Sequence, residues 1–339
     1  MLNIQQILSN FTQLNILIVG DIMLDHYING SVNRISPEAP VPIIDVDHQN
    51  YRLGGAANVA LNIQSLGATP YLCGVIGMDE DGFQLVKLLQ SVGIDSTLIH
   101  RSSLRKTTCK TRVLSQNQQL FRIDREDRHD LGIEDQESLL QLVKDFLDKN
   151  HINALLFQDY NKGVLSLPII NTLLQEAWKR EIPTIVDPKE KNFFAYKRVN
   201  LFKPNLREIN QQVKDAITTN LSDLRKASQL IHQQLSNKNT LITLSDKGLF
   251  FDDGQLSKII PTIPRTISDV CGAGDTVVSI AALGIALNMK MEEIAILCNL
   301  AGGQVCEKVG VVAVDLAQLV EDYNKVYHNG ITENINNLL

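Results

Sequence analysis

Short apolar runs rich in β-branched residues alternate along the chain with longer segments whose apolar positions recur at helical spacing. Residues 16–20, Ile-Leu-Ile-Val-Gly, read as a buried strand, and 55–67 as a helix with Val59, Ile63 and Leu66 on one face. A strand over 71–76 precedes a helix over 83–92. Farther on, 154–157, 184–187, 201–202 and 240–244 have strand character, and helical stretches lie around 134–149, 168–180, 221–235 and 274–287. Strand and helix in alternation imply an α/β fold: a doubly wound, mostly parallel sheet with helices on both faces.

Two segments break this rhythm. Residues 25–46 are rich in Pro, Asn and Ser, and Pro37, Pro40 and Pro42 exclude a helix. Residues 107–124 are helix-poor, with alternating stretches such as Leu-Phe-Arg-Ile-Asp at 120–124. Both are expected to be antiparallel strands that project from the main sheet as a small β lid. Ligands of open α/β sheets bind outside the carboxyl ends of the strands, so a flap rising there would cover one. No Gly/Ser-rich linker divides the sequence, and residues 1–339 are read as one domain with this lid.

Composition narrows the chemistry. The 339 residues are 44% hydrophobic and 21% charged with a net charge of -6, an ordinary balance for a folded soluble protein. No basic block argues for nucleic acid, so an anionic substrate would need local cations. The five cysteines, at 73, 109, 271, 298 and 306, have no CxxC-type spacing and read as free thiols in a reducing compartment. The seven histidines are scattered without metal-site spacing. Residues 1–14 lack a signal-peptide pattern, and no run of about 18 apolar residues suggests a membrane span. A cytoplasmic location is the expectation.

The strongest motif is Asp269-Val-Cys-Gly-Ala-Gly-Asp-Thr276, which runs directly into an apolar helix. Gly272 and Gly274 let the backbone turn tightly, and the first-turn amides carry the positive end of the helix dipole. Such amides can cradle a phosphoryl group in transfer, and Asp275 stands where a carboxylate could accept the proton of an attacking hydroxyl. A plain Asp cap beside a glycine turn is the bland alternative, outweighed by Asp269 and the helix that follows. Cys271 could be a thiolate nucleophile at a helix start; a small, partly buried side chain is the simpler reading.

Gly54-Gly55-Ala-Ala-Asn58 permits close backbone approach to a ligand, and Asn58 offers both donor and acceptor to sugar hydroxyls. A helix start packed on the sheet explains it equally well. Asp25, closing Gly20-Asp-Ile-Met-Leu-Asp25, could fix two hydroxyls or cap a turn. Lys203-Pro-Asn205-Leu-Arg-Glu208 follows a strand, where Asn205 and Glu208 could order the water shell of a nucleotide's magnesium ion. Thr243-Leu-Ser245-Asp-Lys-Gly248 could line a nucleotide pocket. Lys162 and Lys189 each follow a strand and are candidate anchors for a phosphate on the substrate. GxGxxG and GxxxxGK[ST] are both absent, which argues against a dinucleotide fold and a P-loop kinase.

Together these pieces resemble the ribokinase-like sugar kinases of the PfkB family over nearly the whole chain. GGAAN near the front and DxxGAGD near the back are that family's paired signatures. Within it, Arg34-Ile-Ser-Pro-Glu-Ala-Pro-Val-Pro42, Arg112-Val-Leu-Ser-Gln-Asn-Gln-Gln-Leu120, the 20–25 segment and Asp187-Pro-Lys189 look like the bacterial D-glycero-β-D-manno-heptose-7-phosphate kinases. The resemblance implies ATP and Mg2+ as cofactors and Asp275 as the base that deprotonates an anomeric hydroxyl. It implies an anion hole from Cys271, Gly272, Ala273 and Gly274. Asn205, Leu206, Arg207, Glu208, Thr243, Ser245, Gly248 and Asn299 would serve the nucleotide. Asp25, Gly54, Gly55, Asn58 and Asn117 would hold the sugar, with Lys162 or Lys189 on its phosphate.

The product would be heptose 1,7-bisphosphate, a precursor of the ADP-heptose of lipopolysaccharide cores. The lid would often be a dimer contact, giving a homodimer. Position 271 carries Cys where relatives commonly carry Thr or Ser, a weaker donor. Only a short tail follows Asp322, so no fused nucleotidyltransferase domain is expected. Another ribokinase-like sugar or nucleoside kinase is the nearest rival. A non-catalytic sugar- or nucleotide-sensing module is the rival of another class.

Overall fold

The computed structural model describes residues 4–116 and 118–328, so Asn117 lies outside the described residues. Strand β1 (Asn15–Gly20) pairs in parallel with β4 (Thr69–Gly77) on one side and β8 (Ala154–Gln158) on the other. Ile16 and Ile18 join the core on one face of the sheet, Leu17 and Val19 the core on the other, and all four have no solvent exposure. Alternate side chains of a strand point to opposite faces. With both faces covered, every position must be apolar, which is why the run is continuous rather than alternating.

The main sheet adds β5 (Ile99–Ser102), β9 (Thr184–Asp187), β10 (Leu201–Phe202), β11 (Asn239–Thr243), β12 (Leu249–Asp252) and β13 (Ser257–Ile260). Its order is β13-β12-β11-β10-β9-β8-β1-β4-β5. Pairing is parallel from β5 to β11; β12 alone is reversed, pairing antiparallel with both β11 and β13. On one face lie α1 (Ile4–Phe11), α2 (Ala56–Ser65), α3 (Glu80–Ser91), α8 (Ala273–Ala286), α9 (Met291–Cys306) and α10 (Leu316–His328). On the other lie α4 (Ile133–Leu147), α5 (Leu167–Lys179) and α7 (Leu221–Leu235), over a core that includes Phe157, Phe193, Tyr196, Phe202 and Phe250. Short α6 (Leu206–Asn210) follows β10. The doubly wound architecture matches the expectation.

A second sheet has the order β3-β2-β6-β7, from β2 (Ile22–Ile35), β3 (Pro42–Gly55), β6 (Thr108–Ser115) and β7 (Gln118–Arg125). Segments 25–46 and 107–124 fall in it. Its two hairpins are antiparallel as expected, but the central β2–β6 pairing is parallel. Strand β2 leaves the carboxyl end of β1, and β6 follows the carboxyl end of β5. Both therefore rise from the same edge in the same direction. The helix expected from Gly55 begins one residue later, because Gly54 and Gly55 close β3. Gly55 turns at φ 56°, a conformation that side chains disfavour.

Phe202 is fully buried and meets Phe193 edge to face at 5.0 Å, whereas Ile123 on the lid is 54% exposed. Phe202→Ala is expected to lower unfolding free energy by about 3–5 kcal/mol. Ile123→Ser should change it by no more than about 0.5 kcal/mol. Denaturant titration checks both; equal effects would contradict this placement of the core.

Candidate active site

Helix α8 starts at Ala273, just after Gly272 at φ 82°, and no side chain caps it. A Cβ on Gly272 would sit 3.0 Å from the Asn58 amide nitrogen, while one on Gly274 would meet nothing within 4 Å. The turn is thus packed on the Asn58 side and open on the Gly274 side. The positive end of the helix lies at this turn, where the Ala273 amide donates to the Val270 carbonyl at 3.4 Å. The Cys271 amide is taken by Asp269 Oδ1 at 3.0 Å, and Asp269 Oδ2 accepts from the Gly310 amide at 2.9 Å. Burial and the neighbouring Asp269 push the half-buried Cys271 thiol up to about 11, so it is neutral and no thiolate nucleophile.

Asp275 is 4% exposed. Its Oδ2 accepts from Asn58 Nδ2 at 2.7 Å, and its Oδ1 from the Tyr160 hydroxyl at 2.6 Å and Gln158 Nε2 at 3.2 Å. Burial pushes the carboxyl up to about 6, against the bonds from Asn58 and Tyr160, which favour the ionised form. Asn58 is aimed by α2: its own Oδ1 accepts from Asn62, so its amino group turns to Asp275. Gln158, the last residue of β8, is shared with Asp187, whose other oxygen holds Lys203 at 3.0 Å.

On the lid side, buried Asp25 pairs with Arg112. A Cβ on Gly54 would lie 2.5 Å from Asp25 Oδ2, so only glycine fits there without displacing the carboxylate. Arg112 and Arg52 flank the Tyr27 ring, at 5.3 and 5.0 Å, and Arg52 donates to the Val309 and Val311 carbonyls at 3.0 Å. Asp25, Gly54, Gly55 and Asn58 are thus gathered at one end of the sheet edge, next to Asp275.

The nucleotide candidates lie toward the other end. Asn205 and Glu208 form a capping box at the start of α6, with Leu206 half-buried and Arg207 exposed between them. Asn205 bridges to Thr243 at the end of β11. Ser245 (φ 58°) and Gly248 (φ 96°) make the turn that follows, and a Cβ on Gly248 would run into the Ile260 carbonyl. Asn299, on α9, donates to the Pro261 carbonyl at 2.7 Å and so fixes the segment after β13.

Between these two ends stand the loops after β8 and β9. A cavity of about 410 Å³ is lined by Arg128, Tyr160, Lys162, Lys189 and Lys191 among others. Lys162 pairs with Glu126 at 2.8 Å; Lys189 pairs with Glu208 and lies 5.4 Å from the centre of the Tyr160 ring. Despite its burial, Lys189 is held above the usual lysine range by Asp187 and Glu208. Lys189, read from the sequence as a phosphate anchor, is thus engaged by Glu208, a nucleotide candidate.

Sequence reading missed Gln158, Tyr160 and the Asp187–Lys203 pair as site residues. The available signal was a polar residue ending an otherwise apolar strand, then a tyrosine two positions before Lys162.

A buried, hydrogen-bonded carboxylate at an open helix start, at the carboxyl edge of a doubly wound sheet beneath a β lid, belongs to a phosphotransferase that acts on a sugar. The chain is a member of the pfkB family of carbohydrate kinases, whose family model matches residues 13–317. Similar curated proteins are named "Bifunctional protein HldE". That of Geotalea uraniireducens is 36% identical over 321 residues, 94% of this chain and 65% of the relative. That of Helicobacter pylori is 34% identical over 313 residues, 92% of this chain and 67% of the relative. The chain thus spans about two thirds of the length of these relatives. Escherichia coli phosphofructokinase-2 in complex with potassium superposes with a TM-score of 0.77 at 21% identity, covering 92% of this chain and 99% of that one. Arabidopsis thaliana ribokinase complexed with ribose and ATP gives 0.69 at 17%, covering 91% and 99%. These likenesses establish the fold. Family membership implies ATP use. No helix among the described residues is long and apolar enough to cross a membrane.

The raised carboxyl has a consequence for stability. Asp275 goes from about 6 in the fold to 3.8 unfolded, so the native state holds the extra proton between those values. Its contribution therefore falls as pH rises from about 4 to 6 and stays low above. Removing the charge in Asp275→Asn should improve stability relative to wild type by on the order of 3 kcal/mol between pH 4 and 7.5. Unfolding titrations of both proteins across that range check this. A gap that narrows as pH rises would refute it.

Proposed function

We propose that the protein transfers the terminal phosphoryl group of ATP to the anomeric hydroxyl of D-glycero-β-D-manno-heptose 7-phosphate, in the cytoplasm, as one kinase domain with its lid. The observation that carries this reading is the Asp275 carboxylate, raised to about 6, beside the open amides of the α8 start. A base in that range accepts a hydroxyl proton more readily than an ordinary carboxylate and is still ionised at neutral pH.

The sugar would lie against Asp25, Gly54, Gly55 and Asn58. Arg112, paired with Asp25, holds that carboxylate in place as an acceptor for sugar hydroxyls. The amides of Gly272, Ala273 and Gly274 would take the oxygens of the moving phosphoryl group, and the neutral Cys271 adds no competing charge. The nucleotide would run from Thr243, Ser245, Gly248 and Asn299 past Asn205, Leu206, Arg207 and Glu208 towards Asp275. Among the described residues no group of three or more His, Cys, Asp or Glu could hold a metal alone. That suits a magnesium ion carried on nucleotide phosphates, with Glu208 ordering its water. Bound there, the ion would offset charge on the phosphate oxygens.

The heptose phosphate is favoured by the relatives named HldE and by the cationic cavity next to Tyr160. One observation favours a different ribokinase-like sugar or nucleoside substrate: Lys162 and Lys189 are already paired with Glu126 and Glu208. A phosphate would have to displace those carboxylates. A sensing module without turnover has no use for a base tuned as Asp275 is. Phe121 and Ile123, 46% and 54% exposed on one lid strand, supply an apolar surface through which two copies could pair as a homodimer.

ADP release measured over a panel of sugars with ATP and magnesium tests the substrate. The 7-phosphorylated heptose should be preferred, and equal use of the unphosphorylated sugar would remove this assignment. Asp275→Asn should keep its ATP affinity and lose roughly 10²–10⁴-fold in kcat; near-normal turnover would exclude Asp275 as the base. Lys162→Ala should raise KM for the phosphorylated sugar by about tenfold or more if it meets the phosphate. An unchanged KM assigns that contact elsewhere.

A further inference from the structure

The loop after β8 is built with unusual care for a segment that only connects a strand to a helix. Asp21, buried at the end of β1, accepts from three of its amides: Tyr160 at 2.8 Å, Lys162 at 3.1 Å and Val164 at 3.2 Å. Asp159, also buried, accepts from the Asn161 amide at 2.8 Å and from the Tyr196 hydroxyl at 2.7 Å. Asn161 (φ 55°) and Gly163 (φ 89°) take left-handed conformations to close the loop. The result is one projecting ring, Tyr160, packed by Lys189 and ending 2.6 Å from the base. Phenylalanine would fill the same volume, so the loop's fold does not call for the hydroxyl.

We propose that Tyr160 is a positioning residue for the base: with Gln158 it fills Oδ1 of Asp275 and leaves Oδ2 to take the substrate's proton. This rests on the reading of Asp275 as the base. A carboxylate oxygen has two in-plane lone pairs. Oδ1 spends both on Tyr160 and Gln158; Oδ2 spends one on Asn58 and keeps the other. When a hydroxyl attacks the terminal phosphorus of ATP, the new O–P bond forms as the bridging P–O bond breaks, and ADP leaves with that electron pair. The hydroxyl proton goes to the remaining pair on Oδ2. The new carboxylic acid then has Oδ1 as its carbonyl oxygen, which still accepts both donors. No bond in the site has to be remade during the transfer. Protonation at Oδ1 would instead expel a donor from a buried place.

Other charged groups around Asp275 do not duplicate this role. Asp187, Lys203 and Lys189 act on it from the β9 and β10 side, and α2 offers only the uncharged Asn58. Burial, and then the carboxylate itself, push the Tyr160 phenol well above its usual range, so it stays a donor at all working pH values.

The test is a 13C NMR titration of the Asp275 carboxyl in the ligand-free protein, its resonance identified by loss in Asp275→Asn, together with pH–rate profiles. Tyr160→Phe should raise the midpoint by about one pH unit and move the acid limb of kcat/KM by the same amount. Its high-pH plateau should fall by roughly tenfold as the base loses its fixed orientation. A structural role alone would lower the plateau and leave the limb in place, and that result, or an unmoved titration, overturns the proposal. Should Tyr160→Phe fail to fold, 3-fluorotyrosine at position 160, a stronger donor, should move the midpoint down; no movement again overturns it. Normal turnover by Asp275→Asn would sink the base reading and this inference with it. An unmoved titration beside an inactive Asp275→Asn sinks the inference alone.

Discussion

The structure is organised around the cost of keeping one ionisable carboxylate almost wholly out of water at the start of α8. A buried charge without partners is costly enough that the group would simply remain protonated. Asp275 is instead met by donors from α2, from the end of β8 and from the loop beyond it. Each of those elements must be held to within a fraction of an ångström for the bonds to form together. The α2–α8 packing is accordingly not a plain apolar seam. Thr276 donates to Asn62 at 3.0 Å and Ser279 to the Val59 carbonyl at 3.3 Å, both fully buried, so polar contacts fix the register of the two helices. Asn62 Oδ1 also accepts the Val314 amide at 3.1 Å, which ties the segment before α10 to the same seam.

A second layer of buried acids lies under the first. Burial, then the charge of Asp21, push Asp159 up to about 7, and burial raises Asp21 as well. Two acids side by side weaken the fold. What they supply is acceptors for backbone amides that a helix or strand would otherwise satisfy. The lid is joined to this centre by a continuous bonded path. Arg52 on β3 holds the 309–311 carbonyls, the Gly310 amide holds Asp269, and Asp269 holds the Cys271 amide just before α8. The lid and the glycine turn before α8 thus share a framework.

What could be read in the sequence follows from what is local. The parallel strands announced themselves as short β-branched runs because both faces of each are covered. The first lid hairpin showed through prolines that no helix admits, the second through its alternating stretches. Helix α9 (Met291–Cys306) was not legible: it is apolar on most sides, so it lacks the helical stripe that periodicity detects. The parallel β2–β6 pairing joins residues more than eighty positions apart and leaves no local trace. The site divides the same way. Asp275, Gly54, Gly55 and Asn58 stand in compact motifs whose glycines mark backbone turns. Gln158 and Tyr160 reach Asp275 because α8 packs over the β8 end of the sheet, more than a hundred residues away in sequence. Lys189 and Glu208, nineteen residues apart, likewise meet through the adjacency of β9 and β10.

The charges along the sheet edge set Asp275 apart from the carboxylates that are paired with cations. Asp187 is neutralised by Lys203 and Glu208 by Lys189, each through a direct ion pair. Asp25 is neutralised by Arg112. Of these four carboxylates, Asp275 is the one held by neutral donors instead of a cation. An arginine or lysine in their place would hold the carboxylate so firmly ionised that it could not take a proton. Burial with no donors would leave it protonated and equally useless. Neutral amide and hydroxyl donors acting against burial put the carboxyl at about 6, ionised at neutral pH yet still able to accept a proton when a hydroxyl offers one. The cationic groups Lys162 and Lys189 stand on the loops after β8 and β9, each paired with a glutamate and not with Asp275.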